Sequence, residues 1–154
     1  MSRSMDYTDG NLMGRNANKQ PRVEGGSDAA EPENVMIAAR AAAEKKATDE
    51  VVLDLREVAS FTEYFLICTG ASTRQVQAIS NSVEDELRKA GRRPSHIEGY
   101  SSAEWILLDY GDFIVHVFSA ASRRFYDLER LWRDAKRVEL PADVTSQRQG
   151  SRPE

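Results

Sequence analysis

The chain has 154 residues, with 21 lysines and arginines against 25 aspartates and glutamates and a formal net charge of -4 at pH 7. This length suffices for one domain with a real hydrophobic core, and the acidic balance argues against a general nucleic-acid binder, so no direct DNA binding is expected. The one cysteine, Cys68, excludes a disulfide framework within the chain, and no stretch approaches the roughly 18 apolar residues of a membrane span, so a reducing cytoplasmic location is expected.

Both ends of the chain are poor in apolar residues. Residues 1–31 are rich in Gly, Asn, Ser and charged residues, and residues 141–154, "PADVTSQRQGSRPE", have a similar composition. Such segments bury too little surface to offset the entropy lost on ordering, so both are predicted to be disordered. The predicted folded unit is a single domain over residues 32–140.

The first half of this unit predicts a helix, two strands and a second helix. Residues 32–47 favour helix through their alanines, 50–55 are β-branched, and 63–70 form a nearly continuous apolar strand in which Cys68 is expected to be buried. Residues 73–90 predict the clearest helix. Ser72 and Gln75 match a capping box, Gly91 ends the helix, and one face is apolar: Val76, Ile79, Val83 and Leu87.

The second half predicts a short strand after Pro94, a hairpin and a last helix. "WILLDY" (105–110) and "FIVHVF" (113–118) are the hairpin strands, joined by a two-residue turn at 111–112. Residues 122–136 predict one helix with a single apolar face: Phe125, Leu128, Leu131, Trp132 and Ala135. The resulting fold class is α+β (α/β mixed): a five-stranded mixed sheet with about three helices, which are predicted to cover one face.

The two faces of the hairpin differ. Side chains alternate along a strand, so one face is wholly apolar or aromatic: Ile106, Leu108, Tyr110, Phe113, Val115 and Val117. The opposite face mixes large apolar groups with an acid and an imidazole: Trp105, Leu107, Asp109, Ile114, His116 and Phe118. Because burying an unpaired carboxylate is costly, this second face is predicted to be open or to meet something polar.

Asp109 and His116 are diagonal neighbours on that mixed face, and three interpretations stay open. They can form a hydrogen bond that only fixes the hairpin, or belong to a surface that binds a partner. A catalytic dyad is the third and least favoured, because no Ser, Cys or metal-ligand set accompanies the pair in a recognisable motif.

Four segments together resemble the ribosomal silencing factor family, also called the Iojap family. They are T-G-x-S-x-R-Q-V at 69–76, E-G before W-x-x-x-D at 98–109, G-D-x-x-V-H-V at 111–117, and R-x-x-Y-x-L-E-x-L-W at 123–132. The resemblance covers about residues 35–135, in order and nearly without gaps. It implies a fold similar to that of nucleotidyltransferases.

The resemblance to nucleotidyltransferases raises the question of catalysis, and the residues argue against it. Such enzymes hold two metal ions with carboxylates spaced D-x-D on a strand, and no predicted strand here carries that pair. The segment at 70–72 is interpreted as a tight strand-to-helix turn rather than a phosphate cradle. No enzymatic activity, metal or cofactor is expected.

The resemblance implies that the chain binds ribosomal protein fourteen of the large ribosomal subunit and blocks joining of the small subunit, slowing translation when nutrients are scarce. The expected binding residues are those of the mixed face and its borders: Glu98, Trp105, Asp109, His116, Arg123 and Tyr126. Trp105 would be the anchor or ordinary packing, and Arg123 would pair with Asp109 or with phosphate, or be solvated. Two rivals stay open, a residual nucleotide-binding protein and a module that forms a homodimer off the ribosome.

Overall fold

The computed structural model describes residues 32–145, so the predictions for residues 1–31 and 146–154 lie outside the described part of the chain. The elements in chain order are α1 (Glu33–Glu44), β1 (Thr48–Asp54), β2 (Tyr64–Gly70), α2 (Thr73–Lys89), β3 (His96–Glu98), β4 (Trp105–Asp109), β5 (Phe113–Ser119), α3 (Ala120–Tyr126), α4 (Leu128–Leu131), β6 (Lys136–Val138) and α5 (Ala142–Thr145). The domain boundaries at residues 31 and 140 stay a prediction. Helix α5 lies at the start of the segment 141–154 that is predicted to be the C-terminal tail.

The strands form one mixed sheet in the order β3-β4-β5-β2-β1-β6. β2 and β5 pair in parallel at its centre, and every other pair is antiparallel. All seven residues of β2 are buried, as its continuous apolar sequence predicts for a central strand. The α+β class and the mixed sheet are confirmed, with six strands rather than the five predicted, because β6 pairs with the outer edge of β1.

Helices α1 and α2 cover one face of the sheet. The predicted apolar face of α2 is fully buried against the strands. The capping box also forms: Ser72 Oγ accepts from the Gln75 N–H at 3.0 Å, and the Gln75 side chain accepts from the Ala71 N–H. Gln75 Nε2 further donates to the carbonyls of Lys45 and Lys46, which joins the start of α2 to the end of α1.

The prediction that helices cover only one face is wrong. The segment from α3 to Ala135 packs on the opposite face, where Leu128, Trp132 and Ala135 lie against a second cluster: Leu53, Leu55, Phe65, Ile67, Ile114 and Phe118. The single helix predicted over 122–136 is also wrong. It breaks at Asp127, whose backbone is left-handed (φ 49°, ψ 53°), a conformation that Asp tolerates better than most residues.

The predicted hairpin is confirmed. The N–H of Tyr110 donates to the carbonyl of Phe113 at 2.9 Å, which leaves Gly111 and Asp112 as the two turn residues. Gly111 has φ +90°, as a turn with glycine at its first central position requires. This register puts the apolar face of the hairpin against α1 and α2. None of the helices described between residues 32 and 145 is long and apolar enough to cross a bilayer.

Candidate functional site

Three aromatic side chains lie together where β4 begins and α3 ends. The Trp105 ring is 4.6 Å from that of Tyr126, and the Tyr126 ring is 4.9 Å from that of Phe125, centroid to centroid. Phe125 is 78% exposed and Tyr126 47%, while Trp105 is half-buried on Phe118. We call Trp105, Phe125 and Tyr126 the aromatic surface. An exposed group of this kind is typical of a binding site rather than of a surface without a partner.

The start of α3 is fixed close to the start of β4. Ser119 is the N-cap of α3, and its hydroxyl accepts from the Ser122 N–H at 3.1 Å. The same hydroxyl donates to Glu104 Oε1 at 3.1 Å, and the Ser119 N–H donates to the Glu104 carbonyl. Glu104 precedes Trp105, so these bonds place α3 beside the tryptophan.

His116 is the buried hydrogen-bond partner of Trp105 in the aromatic surface. It is 3% exposed, and its Nδ1 accepts a hydrogen bond from the indole N–H of Trp105 at 3.1 Å. Burial lowers the pKa of His116 to about 3, so the ring is neutral at physiological pH. Since Nδ1 accepts, the single ring proton sits on Nε2, which has no hydrogen-bond partner in the described part of the chain.

Asp109 is buried rather than open to solvent, with 4% of its surface exposed. Its Oδ1 accepts from the Gly111 N–H at 2.8 Å, so the carboxylate closes the hairpin turn. Burial raises the pKa of Asp109, while the Gly111 N–H and the nearby His96 act in the opposite direction. Of the two states predicted for the mixed face, open or meeting something polar, the open one is wrong, because the segment after β5 packs against this face. Within the described residues no hydrogen bond joins Asp109 to His116.

Glu98 lies at the border of the aromatic surface. It is exposed on β3, opposite Leu107 of β4, and its carboxylate is 2.7 Å from Nε2 of His96. Together with the exposed Glu104, it places acidic groups on the strands and the loop next to Trp105. His96, which has no patterned companions in the sequence, thus has a partner in the structure.

Arg123 links three parts of the fold through side-chain hydrogen bonds. Its guanidinium pairs with both carboxylate oxygens of Glu129 at 3.2 and 2.8 Å. It also donates to the Asp49 carbonyl at 2.6 Å and to Thr69 Oγ1 at 2.8 Å. The predicted pairing with Asp109 is wrong, since Glu129 is the partner. Arg123 lies in the last turn of α3, where a cation suits the helix dipole, whereas the helix predicted over 122–136 would put it near the start.

Sequence reasoning missed two exposed apolar residues, Phe125 and Leu131. Leu131 is 69% exposed, although the predicted helix assigned both residues to its buried face. The break at Asp127 turns the chain between them, and neither Gly nor Pro marks it in the sequence. The spacing of the apolar residues fits one unbroken helix, so it gives no sign that these two side chains are exposed.

The remaining candidate chemistry is structural. A Cβ on Gly70 would lie 2.9 Å from Val76 Cγ2, so glycine at 70 allows α2 to pack closely on β2. Cys68 is fully buried, as predicted, and burial raises the pKa of its thiol. Residues 32–145 contain no group of three or more His, Cys, Asp or Glu side chains placed to hold a metal ion.

The chain matches proteins of one family along most of its length. Residues 28–154 match the family model described as ribosomal silencing factor during starvation. A ribosomal silencing factor of Bacillus subtilis is 42% identical over 104 residues, which is 68% of this chain and 88% of that protein. The chloroplastic protein Iojap of Zea mays is 38% identical over 127 residues, 82% of this chain and 55% of that protein.

Solved structures agree with the sequence matches. A crystal structure of a protein from Chromobacterium violaceum superposes with a TM-score of 0.65 at 36% identity. The superposition covers 71% of this chain and 91% of the other. The fold described above is therefore shared with an experimentally determined structure.

Proposed function

The chain belongs to the ribosomal silencing factor family, and on that premise we propose that it binds the large ribosomal subunit through ribosomal protein fourteen and blocks joining of the small subunit. The family match over residues 28–154 is the observation that carries this proposal. The result would be repression of translation in the cytoplasm when nutrients are limiting.

The aromatic surface supports this proposal as a site for a protein partner. Protein interfaces are anchored by a few large aromatic residues that lose water on binding, surrounded by a polar rim. Trp105, Phe125 and Tyr126 supply such anchors, and Glu98 and Glu104 supply an acidic border. With a net charge of -4, the chain suits a basic ribosomal protein, toward which it would be steered electrostatically.

We assign the predicted binding residues two roles. Glu98, Trp105 and Tyr126 would contact the partner directly, joined by Phe125. The other three would position this surface without contacting the partner. Asp109 would fix the hairpin turn, His116 the indole ring, and Arg123 the α3–α4 segment. The proposed mechanism is steric: the bound protein occupies space that the small subunit needs. The activity therefore requires no catalytic step and no cofactor, and the chain is proposed not to be an enzyme.

Co-sedimentation with isolated large and small subunits, together with a subunit-joining assay, tests the proposal. We expect the wild type to sediment with the large subunit alone and to block joining. Trp105→Ala and Glu98→Arg, each confirmed as folded by circular dichroism, should weaken both effects. Binding that survives both substitutions would move the interface elsewhere, and no binding to the large subunit would refute the silencing function.

A homodimer that uses the same aromatic surface is a second candidate. The exposure of Phe125 at 78% and of Tyr126 at 47% favours it, because an exposed aromatic surface can bind a second copy of itself when no other partner is bound. Sedimentation equilibrium over a hundredfold range of concentration tests this state. A constant monomer mass, or a dimer unaffected by Phe125→Asp, would contradict it.

A further inference from the structure

A cavity of about 460 Å³ lies beside β1, apart from the aromatic surface. Its lining includes five charged residues: Asp49, Glu50, Arg123, Glu129 and Arg137. The lining comes from β1, α3, α4, β6 and α5, so the cavity forms only once the chain beyond α3 has folded back onto β1. A volume of this size accommodates a small organic molecule.

A β-bulge sets the position of Glu50 at this cavity. The register of β1 against β2 shifts by one residue between Thr48 and Val51, and Asp49 within the bulge has a left-handed backbone (φ 51°). Bulges of this kind re-aim a side chain and occur often next to functional sites. Here the bulge takes Glu50 out of the regular alternation of the strand.

The carboxyl group of Glu50 is the unusual feature of the cavity. Both of its oxygens are buried, and neither has a hydrogen-bond partner in the described part of the chain. Arg123 is the nearby cation, but its guanidinium is already engaged by Glu129, by the Asp49 carbonyl and by Thr69. A buried carboxyl without a partner is costly, so a ligand that donates a hydrogen bond to it would be favoured.

Arg137 supplies the opposite charge at the same cavity. It is exposed on the edge strand β6, and its side chain makes no hydrogen bond or ion pair with any residue between 32 and 145. A guanidinium in this position can bind a carboxylate through two parallel hydrogen bonds. The cavity thus offers a buried acceptor and a separate exposed donor.

We propose that this cavity binds a small zwitterion of the free α-amino acid class, with the ligand ammonium on Glu50 and the ligand carboxylate on Arg137. A simple anion would leave Glu50 without a partner, and a simple cation would meet the charge of Arg137. A divalent metal ion is disfavoured because the described residues gather no set of three ligating side chains at any point. The proposal does not depend on the ribosomal function.

Proton release on binding distinguishes this site from nonspecific association. Burial raises the pKa of Glu50 to about 8, opposed by the positive charge of Arg123, so the empty site is largely protonated at pH 7. The other charged groups at the cavity are Asp49, Glu129 and Arg137, and the buried Cys68 thiol lies close to Glu50. An ammonium group on Glu50 favours the ionised carboxylate, so binding should release a proton.

The experiment is a titration of the ¹⁵N-labelled full-length chain with each of the twenty free amino acids, followed by two-dimensional NMR. Saturable shifts are expected for the amide groups around residues 49–51 and 137 with at least one amino acid. The methyl ester of that amino acid, which lacks the carboxylate, and its N-acetyl derivative, which lacks the ammonium, should each bind at least tenfold more weakly. Calorimetry in two buffers of different ionisation enthalpy should detect the released proton.

Two substitutions and a matched control complete the test. Glu50→Gln keeps the shape of the side chain and Arg137→Gln removes the guanidinium, and each should weaken binding at least tenfold. Arg133→Gln removes an exposed arginine that does not line the cavity and should leave binding unchanged. The proposal would be overturned if the ester or the N-acetyl derivative bound as tightly as the free amino acid, if the shifts lay elsewhere in the protein, or if no amino acid gave a saturable shift at 20 mM.

Discussion

The indole N–H of Trp105 donates to Nδ1 of His116 at 3.1 Å, and this bond joins the half-exposed edge of the aromatic surface to a buried ring on the central strands. Trp105 is opposite Phe118 on β5 and His116 is opposite Leu107 on β4, so the two rings are diagonal neighbours on one face of the hairpin. The hydrogen bond fixes the plane of the indole, which also stacks on Phe118 with 5.0 Å between centroids. Trp105 is therefore preorganised for binding, which lowers the entropy lost when a partner docks.

This relationship predicts a pH dependence of stability. The pKa of His116 is lowered from 6.5 to about 3 in the folded protein, so between these pH values the unfolded chain binds a proton that the native state does not bind. The contribution of His116 to stability is therefore complete above pH 6.5 and falls with decreasing pH, by about 1.4 kcal/mol per unit, until pH 3 is reached. Glu50 acts in the opposite direction, because its pKa is raised from 4.5 to about 8 and the native state therefore binds the extra proton between these values. The loss due to His116 is therefore measured as the difference between the wild type and a variant without the imidazole, by urea unfolding at pH 7.5 and pH 5.

His116→Asn tests that assignment, because the side-chain amide keeps an acceptor for Trp105 but does not titrate. The variant should be less stable than the wild type at pH 7.5, and this difference in unfolding free energy should become smaller on going to pH 5. His96→Asn is the matched control, since His96 is the other histidine and is partly exposed beside Glu98. An unchanged pH dependence in His116→Asn would show that the buried imidazole is not the titrating group.

Gly99 and Gly91 allow backbone strain to be separated from a steric clash. Both have positive φ, +84° and +85°, so alanine is strained at either position. A Cβ on Gly99 would lie 2.1 Å from the Trp105 carbonyl oxygen, whereas nothing lies within 4 Å of a Cβ on Gly91. Gly91→Ala should cost about 1 kcal/mol of unfolding free energy, and Gly99→Ala roughly 3 kcal/mol.

Chemical denaturation of the two alanine variants measures this difference. The tryptophan fluorescence, to which Trp105 and Trp132 both contribute, should change in Gly99→Ala alone, because the clash displaces the backbone of Trp105. Equal losses of stability in the two variants would mean that the loop before β4 adjusts without cost. In that case Gly99 would not be needed to place the tryptophan.

Arg123 should contribute to stability through four hydrogen bonds at once. Its side chain is 13% exposed and that of Glu129 is 23% exposed, so solvent screens the pair only weakly. Removing one partner leaves the other charge partly buried, so Arg123→Ala should lower the free energy of unfolding by about 2 kcal/mol. The exposed neighbour Arg124 is the matched control, and Arg124→Ala should change it by less than about 0.5 kcal/mol.

Limited proteolysis identifies which part of the chain responds to that loss. Arg123 joins α3 to α4 through Glu129 and to the sheet through Asp49 and Thr69. New cleavage should therefore appear within residues 120–135 in Arg123→Ala and not in Arg124→Ala. Cleavage that begins in another region would show that the hydrogen bonds of Arg123 stabilise the protein as a whole rather than this segment.

The predictable features of the fold follow from local chemistry. The alternation of apolar residues and the glycine at the turn determine the hairpin register, and the spacing of apolar residues with the Ser72–Gln75 box determines α2. Strand β6 is three residues long and two of them are charged, so no pattern distinguishes it from the end of a helix. It forms because the edge of β1 is available for pairing, which is a nonlocal cause.

The errors at the candidate site have the same origin. The polarity of Asp109 and His116 predicts a face that is open or meets something polar, yet both side chains are buried. Their partners are the Gly111 N–H and the Trp105 N–H, together with a covering segment that starts after residue 119. The sequence shows the polar groups, but the covering segment takes its position from contacts made across the whole sheet.

Phe125 provides the most direct test of the aromatic surface. Because its side chain is 78% exposed, Phe125→Asp should change the free energy of unfolding by less than about 0.5 kcal/mol. A carboxylate in place of an aromatic anchor should nevertheless weaken binding to the large ribosomal subunit at least tenfold, or about 1.4 kcal/mol. Pelleting of the subunit with a range of protein concentrations measures the dissociation constant.

Val58→Asp is the matched control for this substitution. Val58 is also an exposed apolar residue, at 39%, and the change adds the same negative charge. It follows β1, and the strand pairings place it at the end of the sheet opposite to Trp105, so it should leave binding intact. Equal weakening by both substitutions would indicate a general effect of charge. Loss in Val58→Asp alone would place the interface at the opposite end of the sheet and refute the aromatic surface as the docking site.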